Sequence, residues 1–435
     1  MGKIEDSLVY KALVKSGGSS GGGSADPFTA EAVYKATRPA EWMPMPNAAD
    51  EEDAIYMLVV CPDVAYIAFT ASSADGSEIP VSVGTVDESG TYTAKADLSP
   101  AASGSKAQYA IDLRAYDWAP SDNIGDKQAM IKIAANVKKF DIQSHTSVEP
   151  SFDSYPGDVV DIEILSHALT SLSLSNMSGL KYAYVDVYDS PDVRTDMHQC
   201  FYDCGSLLCV RKFRCAADGE ASAIFKSCGI LQAVDLTGFV AENAQRLQSM
   251  FMSCRALTNI DISGVSSTTR LTDASALFYY CYTLRSVRLS GLDVSKITTM
   301  SNMFSSCECL EECDLSTWDI SSVKTATSLF DNCYRLRRLL LNPDMTGWAG
   351  VDINLTYSKA MTTEAIRDLI ESLPTITASH TINMTGVLGA EGLTEDDIAA
   401  AATKNWTINT GAATMDIEPD IPDAQALAII TGEEV

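Results

Sequence analysis

Along the chain, apolar residues recur in a fixed frame: Phe-x-x-Cys-x-x-Leu appears at Phe201/Cys204/Leu207, Phe225/Cys228/Leu231, Phe251/Cys254/Leu257, Phe278/Cys281/Leu284, Phe304/Cys307/Leu310 and Phe330/Cys333/Leu336. A step in the twenties marks a solenoid, because one such unit can bury its apolar residues only against its neighbours. After the Leu anchor, five repeats alternate apolar positions at Val234/Leu236, Ile260/Ile262, Val287/Leu289, Cys313/Leu315 and Leu339/Leu341. Alternation of this kind predicts short strands that stack into a parallel sheet, with neighbours about 4.8 Å apart. The segment before each Leu, as in Met300-x-x-Met303-Phe304-x-x-Cys307, has helical spacing and predicts an opposite wall of short helices.

Upstream, β-branched and aromatic runs at 54–61, 64–71, 79–83, 108–116, 129–135 and 158–165 alternate with turn clusters such as Asp75-Gly76 and Ser89-Gly90. They predict a small antiparallel β-sandwich. Trp42 and Trp118 read either as core or as rings that could stack on a sugar. At the N-terminus, Ile4, Leu8, Val9 and Leu13 share one side of a short amphipathic segment, and a Gly/Ser run follows over 16–24. This segment reads as a docking peptide on a flexible tether, or as a frayed end. Downstream, a helix is expected from about Thr363 to Leu373, a strand over 381–385, a helix opened by the capping pattern Thr394-x-x-Asp397, and a strand over 405–409. The expected organisation is therefore 1–37 docking peptide and linker, 38–165 β-sandwich, 166–357 solenoid, 358–410 atypical capping repeats and 411–435 acidic tail.

Charge narrows the partners. With 58 acidic against 31 basic residues, the net charge of −27 opposes nucleic acid and anionic membranes. No apolar run reaches the length of a membrane span, and no signal-peptide pattern opens the chain, so synthesis and folding in a cytoplasm are expected. The cysteines then read as buried thiols, all the more because helices on the opposite wall would stand roughly 10 Å apart, too far for disulfides. His198 with Cys200 and Cys204 is the sole hint of a metal site, and it lacks a second ligand pair. No catalytic motif appears, and neither an enzyme, a cofactor nor a metal is expected.

On the solvent side of the expected strands, Asp235, Asp261, Arg288, Asp314 and Leu340 form one column and Ala233, Asn259, Ser286, Glu312 and Arg338 the next, with Arg285, Glu311 and Arg337 in the preceding one. Arg285, Arg288, Glu311, Glu312, Asp314, Arg337 and Arg338 are thus the candidate binding residues. The same columns also read as a surface that neutralises itself through cross-strand pairs.

The segments 289–316 and 315–341, through Leu315-Ser316-x-Trp318-Asp319-x-Ser321-x-Val323 and Met300-x-x-Met303-Phe304-x-x-Cys307-x-x-Leu310, resemble the BspA-like leucine-rich repeats of bacterial surface and gut-associated proteins. That resemblance implies an α/β fold, a leucine-rich-repeat solenoid with a parallel sheet on one wall and short helices on the other, and adhesion without catalysis. The run Arg38-Pro39-x-x-Trp42-x-Pro44-Met45-Pro46 is similar to segments of prophage-encoded proteins of gut bacteria. Together these imply a phage virion protein of the tail- or head-fibre type, made in the host cytoplasm. It would be homo-oligomeric, docked to other virion proteins through its N-terminus, and would bind a protein or glycan on a bacterial or mucosal surface. A bacterial cell-surface adhesin and an intracellular interaction scaffold are the alternatives.

Overall fold

The computed structural model describes residues 29–46, 53–61, 66–73, 75–98, 107–112, 127–134, 137–142, 159–187, 195–217, 219–265, 268–290, 292–345 and 352–411. The expected docking residues Ile4, Leu8, Val9 and Leu13, the tail beyond 411 and Trp118 lie outside them. Among the described residues the fold is mostly β, with several sheets and three α-helices. The chain divides into two units, Leu8–Asp218 with Ser227–Phe239, and Met1–Ser7, Gly219–Lys226 and Val240–Val435.

The first unit holds α1 (Ala30–Thr37), β1 (Ala54–Cys61), β2 (Tyr66–Ser73), β3 (Val81–Val86), β4 (Tyr92–Leu98), β5 (Ala107–Asp112), β6 (Lys127–Ile133), β7 (Val137–Asp141), β8 (Val159–Ser166), β9 (Ser171–Ser173), β10 (Tyr182–Val187), β11 (Cys209–Arg214) and β12 (Ala233–Val234). One sheet runs β12-β11-β10-β8-β1-β6-β3-β4, and a second runs β5-β2-β7-β9. The run AIYMLVVC becomes the central β1 because it is apolar at every position, and Ala54 to Val59 are buried on both faces. β1 pairs antiparallel with β6 and β8, whereas β8, β10, β11 and β12 pair in parallel. A single sheet therefore crosses the expected boundary at 165/166, and the antiparallel strands share it with the first strands of the repeats. Ser166 Oγ ties the two sheets together by donating to Val137 O, 3.1 Å away.

The second unit holds β13 (Asn259–Asp261), β14 (Ser286–Arg288), β15 (Glu312–Asp314), β16 (Arg338–Leu340), β17 (Ile353–Asn354), α2 (Thr363–Ser372), β18 (His380–Asn383), α3 (Glu395–Thr403) and β19 (Trp406–Asn409). β13 pairs with β14 and β15 with β16, both in parallel and in register with the repeat. Backbone bonds from Arg285 N to Thr258 O, Glu311 N to Arg285 O and Arg337 N to Glu311 O carry the ladder across all four strands. The closing segments form the parallel sheet β17-β18-β19. α3 opens on the expected Thr394/Asp397 capping box, and Arg367 from α2 grips the Asp397 carboxylate with contacts of 3.1 Å.

The expected helical wall does not form. In each repeat the residues two before and two after Phe hold left-handed backbones, as at Ser249/Ser253, Ala276/Tyr280, Asn302/Ser306 and Ser328/Asn332. A single left-handed residue interrupts a right-handed helix, and here two fall within five residues of each repeat. The amides bond to the next repeat instead: Met300 N to Thr325 O, Asn302 N to Thr327 O, Phe304 N to Leu329 O and Ser306 N to Asp331 O. Parallel bridges Glu220↔Arg246↔Asp273↔Thr299↔Thr325 extend that second ladder. Apolar residues at helical spacing thus line a wall of bonded turns, and neighbouring repeats sit at strand rather than helix separation.

Candidate functional site

The strand ladder of the second unit sets the candidate residues in rows, because parallel register stacks equivalent positions. Asn259, Ser286, Glu312 and Arg338 open β13 to β16, and Asp261, Arg288, Asp314 and Leu340 close them. Arg288 contacts Asp261 at 3.3 Å. Glu311 lies between Arg285, at 3.5 Å, and Arg337, which also reaches Glu312 at 3.9 Å. The Arg288 side chain is 77% exposed and Arg337 56%, so each pair contributes at most about 1 kcal/mol. Asp314 accepts from Ser316 N at 2.9 Å and remains exposed, as does Arg338. The structure therefore brings Arg285, Glu311, Glu312 and Arg337 into one network, pairs Arg288 with Asp261, and sets Asp314 and Arg338 on the same strands.

Behind this face, Phe251, Cys254, Leu257, Phe278, Cys281, Leu284, Phe304, Cys307, Leu310, Phe330, Cys333 and Leu336 are all buried. Rings from Phe225 through Phe251, Phe278 and Phe304 to Phe330 stack with centroids 5.3 to 5.7 Å apart. The thiols do more than fill space. Cys254 Sγ donates to Phe225 O, Cys281 to Phe251 O, Cys307 to Phe278 O and Cys333 to Phe304 O, at 3.1 to 3.2 Å, so each bonds back to the preceding repeat. In the first unit, Cys204 and Cys228 do the same to Leu174 O and Phe201 O at 3.0 Å. Burial pushes the Cys281, Cys307 and Cys333 thiols well up, so they stay protonated and act as donors. The expected 10 Å separation does not apply to this wall. The cysteines described there are nevertheless free and buried. His198 is exposed while Cys200 and Cys204 are buried, and among the described residues no cluster of His, Cys, Asp or Glu could hold a metal ion.

Sequence reading missed a buried ionic cluster under α1. Asp161 is fully buried on β8; Tyr34 Oη donates to its Oδ2 at 3.0 Å and Arg38 Nε at 3.1 Å. Glu163 pairs with Arg211, which sits at the β-bulge where β11 gains a residue against β10. The Arg211 guanidinium lies over the Tyr34 ring, 4.2 Å from its centroid. Burial pushes both carboxyls up, against the pull of the two arginines, and Glu163 and Asp161 outweigh burial to hold Arg211 above its ordinary value. Asp161 Oδ1 and Arg211 Nε make no hydrogen bond. Beside this cluster, Arg38 Nη1 donates to Trp42 O and Nη2 to Met43 O, while Met43 N and Glu41 O both bond the Gln128 side chain. Trp42 packs on Tyr182 under Lys181. The Arg38-Pro39-x-x-Trp42 run is thus a staple from α1 onto the sheet. The available signal was a pair of acidic residues, Asp161 and Glu163, inside an otherwise apolar strand.

A family model described as a Mycoplasma protein of unknown function, DUF285, matches residues 171–284 and 245–366. Together these span 171–366, a little under half of the chain. The overlap at 245–284 is what a repetitive chain produces when one model can be laid on it in more than one register. The match is compatible with a BspA-like repeat protein. No curated protein matches the chain.

Proposed function

We propose that this is a non-enzymatic recognition protein, in which a BspA-like leucine-rich-repeat solenoid presents its strand face to a protein or glycan on a bacterial or mucosal surface. We further propose that it is carried as a virion structural protein of the tail- or head-fibre type. The observation that carries the recognition reading is the ladder itself: Arg285, Arg288, Glu311, Glu312, Asp314, Arg337 and Arg338 lie on adjacent short strands, on a surface fixed by inter-repeat hydrogen bonds. Rows of exposed charge on a rigid backbone favour orientation-specific docking. The test is Arg285→Glu combined with Arg288→Glu, assayed by sedimentation of the labelled protein with bacterial cells and mucin. Arg288 sits in an exposed pair and Arg285 in a half-buried one at the surface, so the fold should survive while binding falls at least tenfold. Undiminished binding by a folded double variant removes the strand face as the site.

The family description names a bacterium, and this favours a second reading as a cell-surface adhesin. Immunogold labelling of an induced lysate with antibody against residues 181–345 separates the two. Gold at fixed positions on particles supports the virion reading, and gold confined to cell envelopes supports the adhesin.

A further inference from the structure

At the residue after Cys, where each repeat turns toward its strand, Arg255, Tyr282, Glu308 and Tyr334 occupy equivalent positions. Backbone bonds from Cys309 N to Tyr282 O, 3.1 Å, and from Arg335 N to Glu308 O, 3.2 Å, place these residues on consecutive bonded turns. Tyr282 and Tyr334 therefore flank Glu308 at about one strand spacing, 4.8 Å, on each side along the backbone. Each belongs to an aromatic pair: Tyr280–Tyr282 at 5.7 Å, and Tyr334–Tyr357 at 5.9 Å with the rings perpendicular. Tyr357 is 41% exposed, and Tyr280 is a bulky residue held at φ 63°. The left-handed backbone at that position is common to the repeats, and here it carries a ring beside Tyr282.

Glu308 is half-buried, and among the described residues no hydrogen bond or ion pair reaches its carboxylate. Burial holds that carboxyl above its ordinary value. Burial, together with the charge of Glu308, pushes the Tyr282 and Tyr334 hydroxyls up. Several polar side chains on the adjoining turns are engaged with one another. Asn332 Nδ2 donates to Ser306 Oγ at 3.3 Å, Tyr334 Oη to Asn332 Oδ1 at 3.3 Å, and Asn354 Nδ2 to Asp331 Oδ1 at 2.9 Å. Arg255 lies on the far side of Tyr282, 5.8 Å from its ring centroid.

From this geometry we infer that Glu308, flanked by Tyr280/Tyr282 and Tyr334/Tyr357, is a binding site for an alkylammonium group. A sugar needs several converging donors and acceptors, and the side chains of Ser306, Asn332, Tyr334 and Asn354 are already paired. A ligand with one positive charge and an otherwise apolar surface needs what is left: one carboxylate and the faces of tyrosine rings. The net charge of −27 draws such a cation in at long range. The site uses none of the residues proposed for the strand face, and it stands whether or not that face binds anything.

The experiment is calorimetric titration of the full-length protein with choline, with tetramethylammonium and with N-acetyl-lysine methylamide, each against sodium chloride at equal ionic strength. Saturable binding that weakens at least tenfold in Glu308→Gln and in Tyr334→Leu, and persists in the Arg285→Glu/Arg288→Glu variant, is the expected result. Preference for choline and tetramethylammonium identifies a quaternary headgroup as the source, and preference for the lysine probe identifies a protein amine. Circular dichroism of Glu308→Gln establishes that the near-isosteric variant is folded. Heat no greater than that of sodium chloride for all three probes overturns the proposal, as does binding indifferent to Glu308→Gln. Binding of an uncharged probe, chitotriose, that is lost in Tyr334→Leu but kept in Glu308→Gln would make this a sugar platform and overturn it equally.

Discussion

The buried thiols make the stability of the second unit depend on alkaline pH. In the folded chain, burial pushes Cys281, Cys307, Cys313 and Cys333 above the ordinary thiol value, so they keep their protons. In the unfolded chain they ionise near pH 8.5 to 9, roughly the free-cysteine range. A group whose folded value is raised contributes its full stability below the unfolded value and loses it as pH climbs toward the folded one. The sensitive window therefore opens just above pH 8.5. At pH 9.5 each thiol costs about 1 kcal/mol relative to pH 7, and the four together cost ~4 kcal/mol. That is a large share of the roughly 5–15 kcal/mol that holds a domain folded. Urea titrations at pH 7, 8.5 and 9.5 under reducing conditions would measure it. A short alkylation pulse at one common pH, with mass spectrometry of the peptides carrying these cysteines, assigns the transition to this unit. Cys281→Ala should shrink the loss by about 1 kcal/mol, at a cost at pH 7 of roughly 1–2 kcal/mol for the lost contact and thiol bond. Stability constant within 1 kcal/mol from pH 7 to 9.5, or a loss unchanged by Cys281→Ala, would refute the reasoning.

Two substitutions probe other parts of the fold. Asn302→Val places a β-branched residue at φ 57° and should cost about 1–2 kcal/mol, whereas Asn302→Gly should stay within about 1 kcal/mol of the parent; both are read from the urea midpoint. Arg211→Ala leaves Glu163 without its partner in a buried setting, while Asp161 keeps Arg38 and Tyr34, and should destabilise the first unit by about 3–5 kcal/mol. Thermal unfolding of the full chain would show this, and a shift below 1 kcal/mol would mean the Glu163 carboxyl is already neutral.

The repeat frame was legible because burial enforces it: each Phe and Leu must meet its counterpart one turn away, and a column of identical residues results. The strands at β13 to β16 and the pairs Arg285–Glu311 and Arg337–Glu311 followed from the same register. The opposite wall was misread because Met300, Met303, Phe304 and Cys307 have the spacing of one helix face. What distinguishes the true conformation is the small or polar residue at both flanks of Phe, as in Asn302/Ser306 and Ser328/Asn332, types that tolerate left-handed backbone. The cluster of Asp161, Glu163, Arg38 and Arg211 was hidden for another reason. Its members lie up to 173 residues apart and meet only when α1 folds over the parallel edge of the sheet.

Because the bonds of both ladders and the thiol bridges run from one repeat to the next, each interior repeat offers its neighbours the same connections that it receives from them. A whole repeat of 26 or 27 residues could be lost or duplicated in the gene, and the aromatic stack would close again across the junction. A deletion that cuts into the Phe-x-x-Cys-x-x-Leu frame would misalign Phe, Cys and the left-handed positions together. The length of the ladder is therefore open to inherited change in whole steps of about one strand spacing.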